Sequence, residues 1–501
     1  MKPIDICLLL EGTYPYVRGG VSSWVHQLIS GLPQYQFYLV FVGGSKSFYG
    51  KQHYELPANV VGIEEHYLMD KGGVLDPRAR VGDANAFTLW KSVLSNFQKT
   101  DETLTKPQLA GLLDRLGQSD GISYEDFLYS EESWEVLVEL YMNHAENQSF
   151  VDYFWTFRNI YSPLFTLAKV ARGIPPCRLF HSISTGYAGF LGALVKQKQN
   201  VPYILTEHGI YTKERKIDLT QATWIKDRQS ALDTSLHRKM EQTRQTWIQF
   251  FEQLGRSAYH QADDIIALYG GNRQRQIQDG APEHKTSVIV NGINMARFIE
   301  AHQSRPQSPP KVAGLIGRVV PIKDIKTFIR SIRVAVNAEP ELEGWIIGPT
   351  EEDPGYVKEC ELLISSLGLT DKVKFLGMQN VAEILPKIGV CMLTSISEAQ
   401  PLVLLEAMAA GIPCIATDVG SCREIIEGME PEDRALGECG YTISIADPNQ
   451  ASAALIKLLS DEQNWREMGD NGYLRVQKYY QESMMYESYQ SLYKERLAWQ
   501  E

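Results

Sequence analysis

Two glutamates, Glu398 and Glu406, stand eight residues apart in the stretch SISEAQPLVLLEAMAAG, residues 395–411. An apolar run, Val390–Leu393, precedes them and ends in a Ser/Thr-rich turn. From Pro401 onward, Leu402, Leu405, Met408 and Ala409 recur at helical spacing. Proline suits a first helical turn, where its missing N–H costs nothing. The pattern therefore predicts a strand, a loop and a helix. Glu398 falls in the loop, at the positive end of the helix dipole. Glu406 falls about one and a half turns inside the helix, at about 3.6 residues per turn. Two carboxylates at different depths can then face one crevice at the carboxyl end of a strand, where open α/β sheets bind ligands. The spacing alone is equally compatible with a solvated first turn.

Arg318 and Lys323 lie five residues apart in the loop GRVVPIKD, which follows the apolar run Val312–Ile316. A guanidinium fork beside an ammonium point charge suits a diphosphate leaving group. As the bond to phosphate breaks, preorganised cations and helix N-termini stabilise the growing negative charge. Without context, two solvated loop cations are as good a reading. His208 follows the expected strand Tyr203–Thr206 in TEHGIY, a position suited to chemistry, although a capping or core histidine fits the local sequence too. Glu207 beside it is a candidate for placing an acceptor hydroxyl, and His181 is a weaker candidate. Gly19 and Gly20, with Arg18 and Ser22, separate the run Ile4–Leu10 from the helical pattern Val21–Leu32. Strand, glycine loop and helix start is an arrangement that presents backbone N–H groups to an anion, yet glycine pairs in loops are commonly just turns.

These groups need a scaffold, and the chain is long enough for two or three domains at 501 residues. Short apolar runs alternate with helical patterns, which implies parallel sheets with right-handed crossovers. From about 64 to 170 the pattern turns helical. There Phe150, Phe154, Phe157, Ile160, Tyr161 and Leu164 form an apolar stripe expected to pack on its own domain's core. A second helical block, 218–255, is expected to use Trp224, Trp247, Phe250 and Leu254 as core contacts. RPQSPP, Arg305–Pro310, reads as a linker. The expected domains are 1–304, with the helical insertion at about 64–170, then 311–470, then a helical tail 471–501. A net charge of −12 argues against a nucleic-acid binder. The seven cysteines form no CxxC pair, which fits a reducing compartment. No leader peptide or apolar run of about 20 residues is visible, so the expected location is the cytoplasm.

The stretch from Glu398 to Glu406 resembles the E-x7-E motif of the retaining glycosyltransferases of family 4. The likeness continues through Gly411, Pro413 and Thr417-Asp418-Val419-Gly420. The pattern G-R-x-x-x-x-K at 317–323 is similar to that family's diphosphate clamp, and TEHGIY to its histidine loop. The resemblance implies an α/β fold of the GT-B type: two Rossmann-like doubly wound domains facing a central crevice, with a helical insertion in the first and a last helix crossing back. It implies donor contacts from Gly19, Gly20, Arg318, Lys323, Glu398, Gln400, Pro401, Leu402 and Glu406. Glu406 would take the ribose hydroxyls and Glu398 the donor sugar. His208, Glu398, Arg318 and Lys323 would carry catalysis, with retention of configuration by front-face attack and no metal or other cofactor. Gly348-Pro349-Thr350 departs from the family, which usually has a second glycine there.

Taken together, LLLEGTYPYVRGGVSSWVHQLI, TEHGIYTKER and SEAQPLVLLEAMAAGIPCIATDVGSCREII resemble the Pel exopolysaccharide subfamily over most of the chain. That implies a UDP-sugar donor, UDP-glucose or UDP-N-acetylgalactosamine, and a polysaccharide acceptor. It also implies recruitment to the inner membrane face through protein contacts with Pel synthase components. Two alternatives stay open: a nucleotide-sugar-binding scaffold for a membrane synthase, and a sugar-nucleotide epimerase.

Overall fold

The computed structural model describes residues 4–70, 78–99, 102–145, 149–221 and 234–498. The chain folds into two compact units. The first is Met1–Ala267 with Arg273–Ser287 and Gln490–Glu501, and the second is Leu268–Asn272 with Val288–Tyr489. The linker stretch Arg305–Pro310 therefore lies within the second unit.

The first unit is built on a seven-stranded sheet. In chain order its strands are β1 (Ile6–Glu11), β2 (Phe37–Gly43), β3 (Val60–Tyr67), β4 (Leu179–Ser182), β5 (Tyr203–Glu207), β6 (Asp264–Ala267) and β7 (Thr286–Val288). They lie in the order β3-β2-β1-β4-β5-β6-β7, and every pairing from β3 to β6 is parallel. The central strands are apolar because helices cover both their faces: Leu8, Leu9 and Leu10 are fully buried. The helical segment begins later than its sequence pattern suggests, because 60–67 pairs with β2 as an edge strand. Among the described residues five helices then follow between 84 and 173, before β4. In the last of them, Phe150–Gly173, the residues Phe157, Ile160, Tyr161 and Leu164 are buried in the unit's own core, with Phe150 and Phe154 packed at its margin. The expected block 218–255 is two helices, Tyr211–Gln221 and Thr234–Gln261. Phe250 and Leu254 are buried in the core and Trp247 packs against it; Trp224 lies outside the described residues.

The second unit has six strands: β8 (Val312–Ile316), β9 (Glu343–Ile347), β10 (Val373–Gly377), β11 (Val390–Leu393), β12 (Cys414–Thr417) and β13 (Gly440–Ile443). Their order is β10-β9-β8-β11-β12-β13, with every pairing parallel. Both sheets reverse direction once, at β1/β4 and at β8/β11, the topology of doubly wound Rossmann-like domains. All seven cysteines are free and buried, as small apolar residues are. Among the described residues no helix is long and apolar enough to cross a membrane.

Two buried features carry measurable stability. The Arg475 guanidinium, fully buried, donates to Asp433 Oδ1 at 2.6 Å and to the carbonyls of Ile425, Ile426, Asp433 and Gly437. Asp433→Ala leaves that cation without its carboxylate, so the second unit should lose about 3–5 kcal/mol in urea unfolding. An unchanged midpoint would show the pair to be dispensable. In the first unit, burial pushes His181 and His208 down to about 3. Below about 6.5 the unfolded chain takes up protons that these rings refuse, so stability falls with falling pH until about 3. His208→Asn should make that decline shallower by about 1.4 kcal/mol per pH unit between pH 6 and 4. Parallel curves for the two proteins would mean that His208 is protonated in the folded state.

Candidate functional site

In the second unit the chemistry gathers at the switch point. The register Val390↔Ala313 and Cys391↔Gly314 sets β11 beside β8, so the loops after both strands emerge together. They are then tied. Thr394 Oγ1 donates to the carbonyls of Lys323 and Asp324 at 3.0 Å each, and Ile396 N to Ile322 O at 2.8 Å. The tie brings the Lys323 ammonium onto Glu398 Oε1, which also accepts Ser395 Oγ at 2.6 Å. Both side chains of this pair are largely buried. The turn after β12 closes on the same loop. Gly420 has φ +57°, and a Cβ there would meet the carbonyl oxygens of Glu398 and Ala399 at 2.4 Å. Gly348, after β9, has φ +147°, and a Cβ would meet Gly317 O at 2.1 Å. Glycine is needed at both positions so that backbones can approach.

The helix Leu402–Ala409 starts beside this pair, with Pro401 as its N-cap. Its first N–H groups have no partners within the helix. Glu406 is half-buried on it, and burial raises its carboxyl pKa while Arg297 opposes the shift. The Gln400 side-chain amide is committed elsewhere: its Oε1 accepts Asn291 N at 2.8 Å and its Nε2 donates to Asn291 O at 3.2 Å. It braces the NGIN turn, which leaves its backbone for any ligand. Arg318 does not share the Lys323–Glu398 pair. It is exposed and pairs with Glu352 at 2.6 Å.

The first unit has its own cavity at its switch point, about 470 Å³ in volume. It is lined by Glu11 at the end of β1 and Thr13 after it, Ser184 and Tyr187 after β4, and His208 and Tyr211 after β5. His208 is buried, with Trp24 edge-on at 4.4 Å, and its Nε2 has no hydrogen-bond partner among the described residues. Glu11 organises the wall: it accepts Tyr211 OH at 2.7 Å, Ala188 N at 3.0 Å and Ser184 Oγ at 3.2 Å. Sequence reasoning passed over Glu11 and Tyr211; the only signal was an acid ending the first strand. Gly19 and Gly20 are exposed at the start of the helix Gly20–Gly31, with open space where a side chain would stand.

Two expectations for this unit are corrected. Glu207 cannot place an acceptor hydroxyl, because it is fully buried and accepts from Thr185 Oγ1, Tyr211 N, Tyr259 OH and Gln276 Nε2 at 2.6–3.2 Å. His181 is likewise internal, with its ring nitrogens on Tyr493 OH and Thr206 Oγ1 at 2.7 and 2.8 Å.

Comparison with known proteins agrees with this architecture. Solved structures of Anabaena HepE with UDP and glucose and of a sucrose-phosphate synthase from Thermosynechococcus elongatus share the fold, each at TM-score 0.58. Identities are 15% and 18%, and coverage is 98% and 99% of this chain, with 99% of each of those chains. Two curated relatives match in part. N-acetyl-alpha-D-glucosaminyl L-malate synthase of Bacillus anthracis is 36% identical over 132 residues, 26% of this chain and 32% of that protein. MMP alpha-(1->4)-mannosyltransferase of Mycolicibacterium hassiacum is 24% identical over 294 residues, 57% of this chain and 63% of that protein. The chain thus spans less than two thirds of the length of either. The family described as glycosyl transferases group 1 matches residues 297–475, the stretch that holds Lys323, Glu398 and Glu406. The family described as domain of unknown function DUF3492 matches residues 4–284, more than half of the chain, and the chain belongs to that family.

Proposed function

We propose that the chain is a retaining, metal-independent glycosyltransferase. It moves a hexosyl unit from a UDP-sugar, UDP-glucose or UDP-N-acetylgalactosamine, to a growing exopolysaccharide of the PelF-type pathway. The observation that carries the reading is the Lys323–Glu398 pair at the β8/β11 switch point, inside the stretch similar to group 1 transferases. The UDP and glucose in the HepE crystals support a UDP-sugar donor.

In this reading Lys323 and Arg318 neutralise the diphosphate. Among the described residues Arg318 is held by the exposed contact to Glu352, and such surface pairs contribute about 0–1 kcal/mol, so a phosphate displaces it readily. The first N–H groups of the helix Leu402–Ala409 add donors. Glu406 accepts from the ribose hydroxyls, and Glu398 holds the donor sugar. His208, neutral because burial holds it at about 3, offers a hydrogen bond to a sugar hydroxyl and no charge. The acceptor hydroxyl attacks on the face the diphosphate leaves, its proton passing to the leaving phosphate, so configuration is retained without an enzymic nucleophile. In the cell the chain works in the cytoplasm at the inner membrane face, held there by protein contacts with the synthase.

Titration calorimetry with UDP-glucose, UDP-N-acetylglucosamine, UDP-N-acetylgalactosamine and GDP-mannose should show selective binding of one UDP-sugar, lost in Lys323→Ala. Equal affinity for all four, or none, would sink the donor assignment. Glu398→Ala should keep the fold while lowering turnover about 10²–10³-fold, the scale of losing one preorganised transition-state contact. A scaffold, by contrast, would still support polymer export with that substitution.

A further inference from the structure

A second cavity opens in the first unit where β3 ends against the helices that follow it. Its volume is about 570 Å³, and its walls include Glu65, Tyr67 and Leu68 from the strand end. The facing helices supply Glu125, Thr166 and Lys169. Both this cavity and the one at the β1/β4 switch point fall within the size range of small-molecule pockets. They are continuous in their walls. Leu68 lines both, and Tyr49 of the first lies 6.1 Å, ring to ring, from Tyr67 of the second. Glu65 fixes the rings by accepting hydrogen bonds from Tyr16 OH and, at 2.8 Å, from Tyr67 OH.

The lining narrows the ligand class. Hydroxyls and carboxylates stand beside aromatic faces, the combination that recognises a polyol with apolar C–H faces. Glu65, Asp70 and Glu125 outnumber Lys169, so the wall disfavours an anion and does not suit a second nucleotide. A neutral or cationic saccharide fits.

We propose that this cavity binds saccharide units of the acceptor chain, and that the adjoining cavity at the β1/β4 switch point takes the unit next to the reaction. The acceptor is then an oligosaccharide several units long, and the helical insertion is what gives the site its length. The inference rests on the transferase reading above, which a separate arm of the experiment tests. The probes are α-linked N-acetylgalactosamine and glucose oligomers of two, four and six units, titrated by saturation-transfer NMR against the whole chain. Affinity for at least one series should rise about tenfold from the dimer to the longer oligomers. Lys169→Ala, at an exposed position, and Thr166→Arg, which plugs the cavity and meets its carboxylates, should abolish the rise while leaving UDP-sugar binding unchanged. Binding independent of length, no binding of any oligomer, or an undiminished rise in both variants would overturn the subsite. UDP-sugar titration of the same preparations is the other arm: its failure counts against the transferase reading, and loss of length dependence counts against the subsite alone.

Discussion

Opposite charges held half out of water constrain the whole of the second unit. Lys323 and Glu398 come from loops 75 residues apart in the chain, and each offsets the other's partly desolvated charge. Their meeting requires β8 and β11 to be neighbours, which only the reversal of strand order allows. It requires Thr394 to hold the β8 loop by two carbonyls, Ser395 to satisfy the second partner of the carboxylate, and Gly420 to admit the loop against the next turn. The parallel sheet, the tied loops and the glycine together place this ion pair at one spot. The same pair is also easily reassigned. An arriving phosphate can take the ammonium and a sugar hydroxyl can take the carboxylate, each replacing one hydrogen bond by another without exposing a bare charge.

Much of this was readable from residue order, for a physical reason. Central parallel strands are buried on both faces, so they appear as unbroken apolar runs such as Val390–Leu393 and Val312–Ile316. Edge strands carry no such requirement. β3, VVGIEEHY, is half polar, and β13, GYTI, is four residues long; neither gives a pattern that stands out, and both lie at the margins of their sheets. The group 1 stretch was legible because its chemistry is local: strand, loop and helix follow one another from Val390 to Ala409. The wall of the first cavity was not, because Glu11 meets Tyr211 across 200 residues and nothing near either one announces the other.

Glu207 and His208 show how adjacency misleads. They are consecutive at the end of β5, yet their surroundings differ completely. The last residue of the strand still follows its alternation, which turns Glu207 inward onto Thr185, Tyr259 and Gln276. One residue later the chain has left the sheet, and the imidazole faces the cavity. The carboxylate is spent on holding the loops after β4 and β5 to their helices, so it contributes to the position of His208 and not to any ligand.

In the proposed transferase reading, His208 is the group of the first cavity that meets a sugar. A buried ring nitrogen without a hydrogen bond costs about 1–3 kcal/mol, and a core selected for stability alone would replace it with an apolar side chain. Here Trp24 packs edge-on against the ring, holds its orientation, and by excluding water keeps it uncharged. A neutral imidazole can accept from, or donate to, a hydroxyl group without drawing in an anion, which is what a sugar requires and a phosphate does not. In the proposed reading the two units thus divide the chemistry: fixed charge stands in the second, where a diphosphate would lose its bond, and uncharged polarity stands in the first, where only hydroxyl groups would need to be met.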